Sequence, residues 1–187
     1  MKTTQLTAEI LRKKSFLCVG LDVDMDKVPS AFRNSPTALV DFSKAIIDAT
    51  VDYAVAYKPN IAFFETYGVE GMAALKEVID YLNAKHPEIF TIADAKRGDI
   101  GNTSTRYAKA YFETLGFDSI TVAPYMGKDS VEPFLAFKNK HTILLALTSN
   151  PGSNDFQRLE TNGKPLFQSV LETAKTWEGS DQLMYVV

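Results

Sequence analysis

The chain has 187 residues, 45% of them hydrophobic, and its 20 basic and 23 acidic residues leave a formal net charge of -3. This balance is typical of a soluble globular protein, and it disfavours nucleic acid or an anionic membrane as a partner, because no general positive field attracts them. No apolar run reaches the ~18 residues that span a bilayer, and the first residues lack a signal-peptide layout, so a cytoplasmic location is predicted. The single cysteine, Cys18, excludes an internal disulfide and is predicted to be a small buried side chain.

Short apolar runs alternate with longer amphipathic segments along the chain. The runs are typical of buried parallel strands and cover 16–21, 53–58, 90–94, 119–123, 142–147 and 182–187. The segments between them keep apolar residues three or four apart, which predicts helices over 37–49, 68–82, 103–115, 130–137 and 166–177. Ser35-Pro36 signals a helix start and Gly116 a helix stop. This repeated order indicates an α/β fold with a parallel sheet.

Two architectures fit this order: a (β/α)8 TIM barrel and a doubly wound sheet. Polar candidates follow several of the apolar runs, and barrel enzymes build one site from the ends of many strands. A dinucleotide-binding sheet would need a glycine-rich turn after its first strand, but Gly20-Leu-Asp-Val-Asp-Met25 lacks the G-x-G-x-x-G pattern. We therefore predict a single barrel domain over 1–187, truncated after about six strands, because a complete barrel has eight strands and ~250 residues.

The third apolar run ends in a cluster of opposed charges. On an extended strand residues i and i+2 share a face, so Asp94 and Lys96 are predicted to point the same way. Lys58 ends the preceding strand, and a neighbouring parallel strand ~4.8 Å away would bring it to Asp94. The sequence thus predicts an alternating array of lysines and aspartates rather than a solvated ion pair.

The residues after this cluster predict a tight turn into a helix. Gly98 would let the chain turn tightly, because glycine is conformationally permissive, and Asp99 would then leave the face of the strand. Asn102 or Thr103 would cap the helix that follows.

The residue types in the array restrict its chemistry. Interleaved ammonium groups repel a divalent cation, so metal dependence is disfavoured. His86 and His141 are predicted to be solvated loop residues, and a serine–histidine pair has no support. What remains is a cationic lysine that donates a proton, or a neutral lysine that forms a Schiff base. Flanking carboxylates favour the first, because they stabilise the ammonium.

The charged cluster also resembles a known family motif. Asp94-Ala-Lys-Arg-Gly-Asp99, followed by Ile100-Gly-Asn-Thr103, resembles the D-x-K-x-x-D signature of orotidine 5'-phosphate decarboxylase in the wording of one bacterial subgroup. Four further stretches resemble strand-end motifs of this family in the expected order: Val19-Gly-Leu-Asp22, Tyr57-Lys-Pro-Asn60, Thr121-Val-Ala-Pro-Tyr-Met-Gly127 and Thr148-Ser-Asn-Pro-Gly152. The resemblance implies a barrel that converts orotidine 5'-monophosphate to uridine 5'-monophosphate and carbon dioxide in de novo pyrimidine biosynthesis, without metal or organic cofactor.

The resemblance implies roles for individual residues. Lys96 would deliver the proton to the ring carbon that loses carbon dioxide, and Asp94 would lie against the substrate carboxylate. Lys58 would orient Asp94 and the ribose. In the same way Asp22 would bind the ribose, Ser149 would contact the pyrimidine, and Asp99, Ile100 and Thr103 would complete the site of the second subunit of a homodimer.

One part of the family pattern does not occur in the sequence. The family holds the substrate phosphate with a glutamine-bearing loop after the seventh strand and a glycine-arginine turn after the eighth, and neither occurs before Val187. Because remote phosphate binding energy helps to drive chemistry at the ring, the 187-residue chain alone is predicted to be inactive or nearly so.

Two other functions stay open at this stage. One is a metal-dependent sugar-phosphate decarboxylase or aldolase of the related barrel family, in which an acidic residue would stand in the place of Lys58. The other is a non-catalytic barrel fragment that serves in assembly or regulation.

Overall fold

The computed structural model describes all 187 residues and contains eight α-helices and eight β-strands. None of the helices has the length and apolar composition that a membrane span requires. In chain order the elements are α1 (Thr3–Lys13), β1 (Leu17–Leu21), α2 (Ser30–Arg33), α3 (Ala38–Thr50), β2 (Ala54–Pro59), α4 (Ala62–Glu65), α5 (Gly68–Lys85), β3 (Phe90–Arg97), α6 (Gly101–Lys109), β4 (Ser119–Val122), α7 (Lys128–Leu135), β5 (His141–Leu145), β6 (Glu160–Thr161), β7 (Lys164–Pro165), α8 (Leu166–Ala174) and β8 (Leu183–Val186).

Six of the strands form a parallel sheet in the order β1–β2–β3–β4–β5–β8, while β6 and β7 form a separate antiparallel hairpin. The sheet order follows the chain, as repeated strand–helix units predict. The predicted α/β class is therefore confirmed, and every predicted strand and helix overlaps an observed one. The elements that were not predicted are α1, which buries no residue, the four-residue helices α2 and α4, and the two-residue strands of the hairpin.

The contacts of the chain group into two compact units. The first comprises Met1–Ala95 with Thr114–Asp118, and the second comprises Lys96–Glu113 with Ser119–Val187. The boundary falls inside β3, so the last two residues of this strand belong to the second unit. The single-domain organisation stays a prediction.

The first unit has its core between its helices and β1–β3. Large side chains that are fully buried there include Ile47, Tyr57, Phe64, Leu75, Ile79 and Leu82, and burial of each stabilises the fold by about 1.5–3 kcal/mol. The hydroxyl of Tyr57 lies 2.7 Å from Thr50 Oγ1 and donates to Ile47 O at 3.1 Å, so the polar end of this buried ring is satisfied. Burial raises the pKa of Tyr57, because the phenolate would lose its hydration.

The second unit places its core between α6–α8 and β4–β5. Ile120, Val122, Val131, Phe134, Leu144 and Ala174 are buried there. Phe112 belongs to a π-helical turn, Ala110–Thr114, that continues α6, and its ring packs edge-on against Phe134 at 6.4 Å between centroids.

The amino end of β3 is anchored by Asp118. Its Oδ2 accepts hydrogen bonds of 3.1 Å from both the backbone N–H and the hydroxyl of Thr91. Thr91 Oγ1 in turn accepts a bond of 2.9 Å from the backbone N–H of Asp118. These bonds fix the start of the strand that carries Asp94.

Two burial predictions are wrong. Cys18 is exposed, because β1 lies at the edge of the sheet and has only β2 as a neighbour. His141 is not a solvated loop residue: it is the first residue of β5 and is buried. In both cases the burial depends on the position of the strand in the sheet, which local composition does not reveal.

Candidate active site

The carboxyl ends of β2 and β3 bring two predicted site residues together. The register pairs Tyr57 with Thr91 and Asn60 with Asp94, so Lys58 and Asp94 share a face of the sheet and lie diagonally across the ladder. Lys58 Nζ lies 3.5 Å from Asp94 Oδ2. The predicted contact between these residues is therefore confirmed.

The Lys58–Asp94 pair is only partly hydrated. The Lys58 side chain is 36% exposed, whereas that of Asp94 is 11% exposed. A carboxylate with so little water around it is stabilised by charged and hydrogen-bonding neighbours. The pair therefore presents an oriented carboxylate and an accessible ammonium at the end of two adjacent strands.

This pair should be coupled more strongly than an ordinary surface pair. In a double-mutant cycle of Lys58→Met and Asp94→Asn, we expect a coupling of about 1 kcal/mol in the free energy of unfolding. Lys76 and Asp80 provide a control on α5 in the same unit, since both are well exposed and spaced i,i+4; their cycle should give about 0.3–0.5 kcal/mol. Urea unfolding of the four variants in each cycle measures both couplings. Equal couplings in the two cycles would contradict the special environment of Lys58 and Asp94.

Lys96 departs from the predicted geometry. Its φ is 48°, which is left-handed backbone rather than extended strand. The alternation of side chains assumes extended residues, so it does not by itself place the Lys96 side chain. Burial still alternates along β3, with Thr91, Ala93 and Ala95 buried and Ile92, Asp94 and Lys96 less buried. That Asp94 and Lys96 share a face stays a prediction. The side chain of Lys96 is exposed, and its backbone N–H donates to Thr121 Oγ1 at 2.9 Å.

The turn after β3 uses a different glycine from the predicted one. Gly101 has a left-handed φ of 52°, whereas Gly98 is not among the residues with positive φ. Close packing favours glycine at position 98, because a Cβ there would lie 3.1 Å from the backbone oxygen of Ala123, a tight contact. Gly98 therefore supplies no left-handed residue to the turn, although the position does favour glycine.

Helix α6 begins earlier than predicted and without a side-chain cap. Its N-cap is Ile100, so the assignment of Asn102 or Thr103 as the cap is wrong. Asp99 organises the turn instead: its Oδ1 accepts the backbone N–H of Ile100 at 2.7 Å, and its backbone oxygen accepts the hydroxyl of Ser104. Ile100 and Thr103 are both exposed at this end of the helix.

The two remaining candidates lie in loops that follow strands. Asp22 comes directly after β1 and Ser149 lies shortly after β5, and both are exposed. The loop that carries Ser149 is held by Gln157, whose Oε1 accepts the backbone N–H of Thr148 at 2.7 Å. Sequence reasoning missed this supporting role of Gln157, since no spacing or motif marks it.

Residues 15–181 match the family described as Orotidine 5'-phosphate decarboxylase / HUMPS. The chain belongs to this family. Over 187 residues it is 65% identical to the orotidine 5'-phosphate decarboxylase of Christiangramia forsetii, a match that covers 100% of this chain and 69% of that relative. The same enzyme of Flavobacterium johnsoniae is also 65% identical and is covered over 68% of its length.

Solved structures of the orotidine 5'-phosphate decarboxylase family share the fold of this chain. The OMP decarboxylase of Leishmania donovani superposes with a TM-score of 0.87 at 42% identity, over 100% of this chain and 70% of that one. The predicted barrel class and the family resemblance are thus confirmed. The roles of the individual site residues stay predictions.

Proposed function

We propose that this chain carries the decarboxylation chemistry of an orotidine 5'-phosphate decarboxylase, which converts orotidine 5'-monophosphate to uridine 5'-monophosphate and carbon dioxide. The observation that carries this function is the Lys58–Asp94 pair, 3.5 Å apart at the ends of neighbouring strands, in a chain 65% identical to a named decarboxylase. Both residues lie in stretches that resemble motifs of the family, Tyr57-Lys-Pro-Asn60 and Asp94-Ala-Lys-Arg-Gly-Asp99.

The central step needs a cation and a proton at the reacting carbon. When the bond to the carboxylate breaks, carbon dioxide leaves and the electron pair remains on the ring carbon, where no carbonyl is placed to delocalise it easily. We assign the Lys96 ammonium to stabilise this charge and to donate the proton that forms the new C–H bond. Lys96 is left neutral and takes a proton back from solvent before the next turnover.

The other residues bind and orient the substrate in this proposal. Asp94 lies against the reacting carboxylate, and Lys58 holds Asp94 in place and reaches the ribose. A fixed array of charges lowers the barrier because little reorganisation is needed when the charge develops. Asp22 is assigned to the ribose and Ser149 to the pyrimidine.

A homodimer with shared sites is part of the proposal. Asp99, Ile100 and Thr103 would complete the site of the second subunit. The exposed apolar side chains in this part of the second unit support the proposal: Ile100 follows β3, and Tyr125 and Met126 follow β4. Large exposed apolar side chains occur at surfaces that bind another protein.

The dimer should depend on these exposed apolar side chains. We expect the double substitution Ile100→Asp and Tyr125→Asp to shift the chain from dimer to monomer in sedimentation equilibrium, because it introduces like charges into a surface that must lose water. Leu11→Asp is the control, since Leu11 is also an exposed apolar residue but lies on α1 of the first unit. A double variant that dimerises as tightly as the control would refute this interface.

Release of carbon dioxide from carboxyl-labelled orotidine 5'-monophosphate tests the function. The assay is run on the 187-residue chain and on a chimera that adds the part of the Christiangramia forsetii relative outside the match. We expect little or no turnover from the 187-residue chain, and turnover by the chimera that survives a metal chelator. Loss of turnover with the chelator would indicate a metal-dependent sugar-phosphate enzyme instead. The 65% identity to a named orotidine 5'-phosphate decarboxylase argues against that alternative. If neither protein released carbon dioxide nor bound uridine 5'-monophosphate, the proposed function would be wrong.

A further inference from the structure

The left-handed backbone of Lys96 needs a tertiary cause. Four residues other than glycine have positive φ: Lys14, Lys96, Asn139 and Asn162. Asparagine tolerates this region, and Lys14 is the C-cap of α1, where left-handed residues are common. Lys96 has neither explanation, and the conformation is disfavoured by about 5- to 30-fold for such a residue. The surrounding structure must therefore hold it.

Two hydrogen bonds hold the backbone at Lys96, one at its N–H and one at the backbone oxygen of the next residue, Arg97. The N–H of Lys96 donates to the buried hydroxyl of Thr121 at 2.9 Å. On the other side, the backbone oxygen of Arg97 accepts the N–H of Ala123 at 2.8 Å. The acceptor of the Lys96 N–H is thus a side-chain oxygen. A substitution at Thr121 can therefore remove this hydrogen bond without altering the backbone of β4.

Arg97 fixes the chain immediately after Lys96. Its guanidinium lies 5.5 Å from the ring centroid of Tyr107 and 5.7 Å from that of Tyr111, so two aromatic rings of the following helical segment hold it by cation–π contact. Arg97 therefore extends toward this segment. Lys96 is restrained by the hydrogen bond to Thr121 on one side and by the contacts of Arg97 on the other.

We propose that Thr121 is a positioning residue for Lys96, because its hydroxyl maintains the left-handed backbone that sets the direction of the Lys96 side chain. If Lys96 relaxed to extended backbone, its Cα–Cβ bond would turn and the ammonium at the end of the long side chain would move away. The inference about backbone geometry stands by itself, while its consequence for catalysis rests on the proposed role of Lys96 as proton donor.

Two substitutions separate the hydroxyl from the volume of the side chain. Thr121→Val keeps the shape but cannot accept the hydrogen bond, whereas Thr121→Ser keeps the hydroxyl. Thr142→Val is the matched control: Thr142 is buried on β5 of the same unit, and its hydroxyl has no hydrogen-bond partner. Val131→Ala serves as a second control, because it lowers stability by removing buried methyl groups of α7.

The first readout is amide hydrogen exchange at Lys96, measured by NMR on the 187-residue chain. Loss of one hydrogen bond should accelerate exchange at this amide by about 10-fold or more in Thr121→Val. Thr121→Ser and Thr142→Val should exchange as the unsubstituted chain does. Unchanged exchange in Thr121→Val, or acceleration at Lys96 in Val131→Ala as large as in Thr121→Val, would overturn the inference.

The second readout is the kinetics of decarboxylation in the protein that turns over substrate. Thr121→Val should lower kcat by about 10-fold or more with KM nearly unchanged, because the proton donor is displaced while the groups that bind the substrate stay. Thr121→Ser should restore kcat. Equal losses of kcat in Thr121→Val and Val131→Ala would refute the positioning role. If no protein released carbon dioxide but Lys96 exchange responded as expected, the backbone inference would stand and the proposed function would fail.

Discussion

Replacement of Lys96 by alanine should lower kcat for decarboxylation by at least about 10³-fold. The substitution removes the cation that stabilises the developing charge and also the proton donor, and each effect alone is worth about 10²-fold or more. Carbon dioxide release under saturating substrate measures the loss.

Two further variants make the Lys96 result specific. Lys96→Arg keeps the positive charge but should remain strongly impaired, because guanidinium does not give up its proton and has a different shape. Lys109→Ala is the matched control, since Lys109 is an exposed lysine at the end of α6 in the same unit; it should retain full activity. Retention of a tenth of the activity by Lys96→Ala would exclude Lys96 as the proton donor.

Replacement of Gly71 by alanine should destabilise the protein by about 3 kcal/mol or more. Gly71 lies in α5, and a Cβ at this position would lie 1.9 Å from the backbone oxygen of Phe64 and 2.9 Å from the Cβ of Tyr67. The clash involves backbone of a fully buried residue, so it is relieved only if α4 moves away from α5. Urea unfolding followed by circular dichroism measures the change.

The sign of the Gly71 effect is itself informative. Helix propensity alone favours alanine over glycine by about 1 kcal/mol, so propensity and packing predict opposite results. Gly68→Ala is the control on the same helix: Gly68 has a φ of 60° and nothing within 4 Å of a Cβ. It should lose only about 1–2 kcal/mol through backbone strain. A Gly71→Ala variant as stable as the unsubstituted protein would mean that α4 and α5 do not pack so closely.

The sequence by itself determined the order of strands and helices and the pairing of Lys58 with Asp94. Both follow from local rules. Hydrophobic periodicity identifies the elements, and the fixed spacing of parallel strands places the residue at the end of β2 near the residue at the end of β3. The family was also readable, because its strand-end motifs are contiguous in the chain.

The tertiary structure alone decided how Lys96 is held. The N–H of Lys96, whose backbone is left-handed, donates to the hydroxyl of Thr121, which is 25 residues away, and the preference for glycine at position 98 depends on the backbone oxygen of Ala123. The exposure of Cys18 and the burial of His141 likewise depend on where their strands lie in the sheet. Hydrophobic periodicity in the sequence assumes a regular backbone, and it gives information only about residues that are close together along the chain. The unfavourable left-handed φ of Lys96 and the close approach of Gly98 to Ala123 both depend on atoms that come into contact only after the chain has folded.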